Sequence, residues 1–375
     1  MPDPDSTDLA DPLGLAQALL RCPSVTPADA GAQDVLAAAL EALGFAVTQL
    51  EQGGIANLFA RRGSGAPHLC FCGHTDVVPA GEGWATDPFG AVLQGGVLHG
   101  RGACDMKGGI AAFVAACAAV PDFPGTLSLA ITGDEEGSAV DGTVRIVEYL
   151  RQSGQMPDVV LVGEPTNPAA LGDMIKVGRR GSMTARILVQ GVQGHAAYPQ
   201  RADNPVHRLL RALAAMTAAP LDAGSAFFEP STLQVTSIDV GNPASNVIPA
   251  SARAVLNIRF NDAHSSAGLE AWLRAVLAQH APQFTLEVQV SGESFRTDPG
   301  PALAVLQAAI RAETGRDAVL DTGGGTSDAR FFAPFCPVME FGLVGRTMHR
   351  SDESVPVEEL RALSRIYAAM LRGLA

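Results

Sequence analysis

The sequence predicts an α/β fold, helices packed on a mixed sheet, interrupted by a smaller α+β domain. Three observations carry this. Near-continuous apolar runs of strand length, His68 to Cys72, Leu127 to Ile131 and Val159 to Val162, alternate with helical stretches, as strands buried on both faces of an α/β sheet do. Past Gly178 the strands instead alternate apolar with polar residues, the pattern of antiparallel strands with one face in water. From about Ser294 the texture of helix plus buried strand returns. The expected division is residues 1–180 with 294–375 as one domain and 181–293 as an insertion.

Taken in order, Ala32 to Leu43 is rich in Ala and Leu and is followed by Gly44 at a helix-stop position. Gly109 to Val120 reads as a buried helix; its apolar run, Ile110 to Val120, falls short of the roughly 18 residues a membrane span needs. In the insertion, Thr184 to Gln190 is a strand, Pro205 to Met216 an amphipathic helix, and Leu233 to Val240 and Ala252 to Phe260 strands. Leu269 to His280 is a second amphipathic helix and Thr285 to Val290 a last strand. This βαββαβ order is that of a ferredoxin-like sandwich. Pro301 to Glu313 is then helical, and Val338 to Phe341 a short buried strand.

With 375 residues, 47% hydrophobic and 17% charged, the chain has material for a large core and lies far from the composition of disorder. Its formal charge of −13, from 39 acidic against 26 basic residues, argues against nucleic acid or an anionic membrane as partner. The acidic start, Met1-Pro-Asp-Pro-Asp5, leads into no apolar signal segment, so a cytoplasmic protein is expected. Six cysteines (Cys22, Cys70, Cys72, Cys104, Cys117, Cys336) form no CxxC pair, and reduced core thiols are expected. The glycines at 323 to 325 lack a following Lys-Ser/Thr, and Gly100-Arg-Gly102 lacks a third glycine, so no nucleotide loop is read.

Chemistry concentrates where the buried strands end. They run into Gly73-His-Thr-Asp76, Thr132-Gly-Asp-Glu-Glu136 and Gly163-Glu-Pro165. Ligands of open α/β sheets bind beyond the carboxyl ends of strands, so these segments converge. The turn before the 109–120 helix adds Asp105, and the loop after Val338 adds His349. So many carboxylates in one cleft repel by several kcal/mol unless cations or protons compensate. Two histidines with oxygen donors fit zinc or a similar divalent ion in a hydrolytic site, and the surplus of carboxylates fits two ions sharing a bridge. His68, His99, His207, His264 and His280 read as structural or solvated, and Trp84 as a packed loop anchor.

Gly73-His-Thr-Asp76, Gly100-Arg-Gly-Ala-Cys-Asp-Met-Lys-Gly108, Asp134-Glu-Glu136, Gly163-Glu-Pro-Thr166 and His349 resemble, in order and spacing, the dinuclear zinc exopeptidase and aminoacylase family. Cys22-Pro-Ser-Val-Thr-Pro27, Arg179-Arg-Gly-Ser182, Gly194-His-Ala-Ala-Tyr-Pro199, Asn242-Pro-Ala-Ser-Asn246 and Gly324-Gly-Thr-Ser-Asp328 are similar to one branch, which releases succinate from N-succinyl-LL-2,6-diaminopimelate. The resemblance implies a zinc-exopeptidase-like catalytic domain carrying a dimerisation or lid insertion, and two zinc ions per subunit, with cobalt able to substitute. His74, Asp105 and Glu164 would hold one ion, and Asp105, Glu136 and His349 the other. Asp76 would orient His74, and Glu135 would be the general base that moves a proton from water to the leaving amine. His195 would reach the partner subunit's site in a homodimer. Arg179, Ser182, Tyr198, Asn246, Gly325 and Thr326 would meet a dicarboxylic N-acyl amino acid. Cys104 stands where many relatives carry a small residue such as Ala, and Gly345 where some carry Asn near the substrate. Two other readings stand beside this one: deacetylation of N-acetylornithine or another N-acyl amino acid by the same machinery, and a non-catalytic zinc- or peptide-binding protein, against which Glu135 argues.

Overall fold

The apolar runs form the buried strands expected of them. In the computed structural model, which describes residues 8–297 and 300–375, His68–His74 and Thr126–Thr132 are buried along their whole length. They lie side by side and parallel in an eight-stranded mixed sheet. Its order is Ala46–Gln52, Ile55–Gly63, Thr126–Thr132, His68–His74, Val159–Val162, Val338–Glu340, Met174–Lys176 and Val319–Asp321. The four central strands, from Thr126–Thr132 to Val338–Glu340, are mutually parallel, so their carboxyl ends share one edge. The hairpin at the rim lies outside the expectations above. It turns on Gly53 and Gly54, both at positive φ as a two-residue hairpin turn demands, and that Gly-Gly pair is its signal in the sequence.

The helix Lys107–Ala119 is buried around its whole circumference up to Cys117, which an apolar sequence without a polar stripe requires. It packs on His68–His74, on Pro12–Leu20 and on the C-terminal helix Val357–Leu374. Phe113 stacks on Phe71 with ring centroids 4.3 Å apart, and Tyr367 closes the cluster while its hydroxyl donates to the Phe341 carbonyl at 2.6 Å. A Cβ at Gly109 would stand 2.7 Å from the Gly163 carbonyl oxygen, so glycine there lets the helix close on the strand end that carries Glu164.

The chain divides into two compact units, the larger with residues up to 177, 297–321 and 327–375 and the smaller with 178–296 and 322–326. The smaller has a four-stranded antiparallel sheet in the order Thr232–Asp239, Ser251–Phe260, Gly181–Gln190, Phe284–Gly292, as its βαββαβ chain order predicts. The helices Pro205–Met216 and Ser266–His280 bury Leu209, Leu213, Leu269, Leu273 and Leu277 against Met183, Ala185, Ile187 and Val189. Asn204 and Ser265 cap them, each accepting a backbone N–H of the first turn.

The compact units divide at positions slightly different from the expected border. Gly178–Arg179 pairs with Phe295–Arg296, which draws both junctions outward from 181 and 293. Residues 322–326, expected with the catalytic domain, group with the smaller unit: Thr322 Oγ1 donates to the Phe227 carbonyl, and Arg179 Nη1 to the Gly325 carbonyl.

Candidate functional site

In the large unit, strand register sets the level of each donor. His74 stands opposite Thr132 and Cys72 opposite Val162, so Glu164, two residues past Val162, comes level with His74. His74 Nε2 lies 3.2 Å from Asp105 Oδ1 and 3.6 Å from Glu164 Oε1. On the other side of Asp105, His349 Nε2 lies 3.1 Å from Asp105 Oδ2 and 2.9 Å from Glu136 Oε1. His349 is 47% exposed and sits at φ 60°, a left-handed conformation that histidine adopts more readily than most residues.

Donor atoms within 4.8 Å of one another thus form the sets His74–Asp105–Glu164 and Asp105–Glu136–His349, and a third, His74–Glu135–Glu136, overlaps both. Two donors on one tetrahedral ion at about 2.0–2.1 Å stand about 3.3 Å apart, close to the spacings here. The donor chemistry agrees: imidazole nitrogen with carboxylate oxygen suits zinc and similar divalent ions. Two imidazoles cannot by themselves neutralise Asp76, Asp105, Glu135, Glu136 and Glu164, so the residues present fit a pair of cations.

The electrostatics shows the crowding. Burial lowers the His74 pKa, but the Asp105 hydrogen bond and the charges of Glu164, Asp76 and Asp105 outweigh it and hold the ring well above its ordinary value. Hydrogen bonds to Asp105 and Glu136 push His349 up to about 10. Glu135 is raised well above the usual carboxylate range, first by burial and then by Glu164. Burial lifts Asp76 to about 6.

Asp76 contacts differ from the expected ones. The His74 Nδ1–H donates to the Asp76 main-chain carbonyl at 2.9 Å, with the carboxylate farther off at 3.6 Å. That bond leaves Nε2 as the donor facing Asp105 and Glu164. The Asp76 carboxylate instead accepts the backbone N–H of Glu135 at 3.2 Å and of Glu136 at 3.0 Å. It therefore seats the Glu135–Glu136 segment beside His74.

All the other expected residues belong to the small unit and form two groups. Gly194–His195 pairs with Val247–Ile248, and Ala196 N donates to the Asn246 carbonyl at 2.8 Å. The His195 and Tyr198 rings stand 5.6 Å apart, and His195 Nδ1 accepts from Ala197 N, which places the ring proton on exposed Nε2. In the second group buried Arg179 reaches the Gly325 carbonyl at 3.2 Å, beside Thr326, and buried Ser182 lies on the strand that follows.

A profile of the family described as Peptidase family M20/M25/M40 matches residues 70–373. The chain belongs to that family. It is 62% identical over 363 residues to a succinyl-diaminopimelate desuccinylase of Acidiphilium cryptum strain JF-5, covering 96% of this chain and 98% of the relative. In fold it matches aminopeptidase PepT from Bacillus cereus, with TM-score 0.81 at 20% identity over 98% of this chain and 99% of the other. It also matches a dinuclear metal-binding peptidase of the M20 family from Bacillus subtilis, with TM-score 0.73 at 16% identity over 97% of each chain.

Within this family member two groups escape the motif reading. Arg259 stands opposite Ser182 in the sheet, and burial together with the charge of Arg180 lowers its pKa. Its signal was its polar place in an alternating strand, which also fits an ordinary solvated face. Asp328 closes the Gly324-Gly-Thr-Ser-Asp328 motif, read above only for Gly325 and Thr326. It is buried, accepts from Thr143 Oγ1 at 2.7 Å, and its charge adds to those raising Glu135. Cys104 joins none of the candidate metal sets among the described residues; burial and then Glu353 hold its thiol protonated.

Proposed function

We propose that this protein hydrolyses N-succinyl-LL-2,6-diaminopimelate to succinate and LL-2,6-diaminopimelate, a step of lysine and meso-diaminopimelate synthesis, as a cytoplasmic homodimer with two zinc ions per subunit. The observation that carries the reading is Asp105, whose two oxygens face two separate imidazole–carboxylate sets while Glu135 stands beside both. The 62% identical relative supports the choice of acyl group.

His74, Asp105 and Glu164 would hold one ion and Asp105, Glu136 and His349 the other. Divalent ions held there would supply Lewis acidity, acidifying water and polarising the scissile carbonyl, and cobalt would serve in place of zinc. Glu135, seated through its N–H by Asp76, takes the proton of the attacking water and delivers it to the leaving amine. The His195 Nε2–H supplies a donor to the developing oxyanion in the partner subunit's site. Arg179, Ser182, Tyr198, Asn246, Gly325 and Thr326 recognise the substrate's carboxylates and amine, and Arg259 adds a second guanidinium.

The deciding experiment compares rates on N-succinyl-LL-diaminopimelate and N-acetylornithine, with zinc supplied. Turnover of the succinyl substrate at a kcat/KM at least a hundredfold higher is expected. Preference for the acetyl substrate overturns the assignment.

A further inference from the structure

The candidate ligands come from segments far apart in the chain, and one carboxylate outside every ligand set lies at the centre of a network that ties two of their loops together through a third segment, Ala80 to Ala85. Glu353 is 0% exposed and Arg101 is 2% exposed, and Glu353 Oε2 accepts from Arg101 Nη1 at 2.7 Å. The same oxygen accepts from Gly102 N at 3.1 Å; Oε1 accepts from Cys104 N at 3.0 Å and from Asp105 N at 3.1 Å. The backbone that presents the shared carboxylate is therefore gripped from Gly102 to Asp105. Arg101 continues the tie, donating through Nη2 to the Ala80 carbonyl at 3.1 Å with its guanidinium 5.3 Å from the Trp84 ring. Trp84 Nε1 donates to that same Ala80 carbonyl at 2.8 Å. The His349 loop is fastened to this segment as well: Ser351 Oγ donates to the Glu82 carbonyl, and Ala85 N to Asp352 Oδ1 at 2.8 Å.

We propose that the buried Arg101–Glu353 pair is a positioning device for the dinuclear site, fixing Asp105 as the shared ligand and holding the His349 loop against it. The inference rests on the ligand assignment made above. Isolated, a wholly buried carboxylate is costly; here a guanidinium and three backbone N–H groups satisfy it, which spends its charge on one backbone geometry. Outer partners of this kind typically change metal affinity tenfold to a hundredfold. The ion held by Asp105, Glu136 and His349 should feel the loss most, since two of its three ligands lie on the loops Glu353 joins. The His74–Asp105–Glu164 ion keeps two ligands on strand ends.

The test uses Glu353→Gln, which keeps the shape but loses the charge and sets an amide N–H₂ against backbone donors, with Arg101→Lys as the milder variant. Metal-stripped full-length protein is titrated with Zn²⁺ and with Co²⁺, following heat and the visible Co²⁺ spectrum. Wild type should take up two equivalents. In Glu353→Gln the weaker equivalent should bind tenfold to a hundredfold less tightly with an altered Co²⁺ spectrum, activity should return at raised metal concentration, and KM should hold. Arg101→Lys should move the same way by less, and it carries the test should Glu353→Gln fold poorly. Two equivalents bound at wild-type affinity in both variants, with only the melting temperature lowered, overturns the proposal. Fewer than two equivalents in wild type overturns the ligand assignment itself.

Discussion

The two units spend polar groups in opposite ways. In the large unit His74, Asp76 and Asp105 are buried among strand ends, and each is held by a second polar partner before any substrate arrives. In the small unit His195, Tyr198 and Asn246 are exposed, on short pairings and loops at the rim of a sheet whose core is made by other residues. The difference follows from the tasks. A cation pair needs carboxylates preorganised out of water, where their repulsion becomes affinity; in the small unit His195, Tyr198 and Asn246 stay open to a substrate, while Arg179 and Ser182 are buried. Substitutions in the first unit should therefore alter metal binding or chemistry, and substitutions in the second should leave metal content alone.

Glu135→Gln is the sharpest test of that rule within the large unit, because it should remove chemistry without removing metal. Turnover should fall on the order of 10²- to 10⁴-fold while both ions remain bound, as read by kcat and by metal analysis of the dialysed protein. Loss of an ion in this variant would show that Glu135 is a ligand, as its presence in the third donor set allows. Retained turnover would remove the base assignment.

His195→Ala tests the small unit and should lower kcat by about 10²- to 10³-fold, the worth of an oxyanion donor, with full metal content. Mixed with Glu135→Ala under conditions of subunit exchange, it should regain activity, because one intact pairing of base and donor then forms. Exchange without recovery would place His195 outside the partner's chemistry.

The two units were also unequally legible. The large-unit candidates follow from two local facts, apolar runs of strand length and acids or histidines at their carboxyl ends, and parallel pairing then brings His74 and Glu164 level. Local facts do not reach Glu353, whose partners lie about 250 positions away and whose own neighbours, Ser351 and Asp352, read as an ordinary polar loop. Nor do they separate the Asp76 carbonyl from its carboxylate, since both belong to the same residue in the motif. In the small unit the alternation of apolar residues located strands and helices well, because burial on one face enforces a period of two. It could not place residues 322–326, which return to that unit through hydrogen bonds of Thr322 and Gly325. Nor could it raise Arg259 above its polar neighbours on the same strand.

The smallest expected effect concerns how the small unit holds its shape. Asp222 accepts from Gly224 N at 2.7 Å, Ser231 N at 3.2 Å and Asn261 Nδ2 at 2.8 Å, and it meets His264 Nε2 at 3.0 Å. Burial pushes its pKa up, but the hydrogen bonds from Ser231, Gly224 and Asn261 outweigh that and hold the carboxyl below its ordinary 3.8. A carboxylate more acidic in the folded than in the unfolded chain stabilises fully above the unfolded value, and the contribution drains away as pH falls through the folded one. Asp222→Asn should therefore cost about 1–3 kcal/mol at pH 7, from weakening the hydrogen bonds of a part-buried carboxylate. The gap in melting temperature between variant and wild type should narrow as pH drops below the ordinary carboxylate range, where wild type too becomes neutral. Metal uptake by the large unit should be unchanged throughout. A gap that stays constant from pH 7 into strong acid would mean that shape alone, and not the carboxylate charge, pins residues 222–231 to the end of their strand.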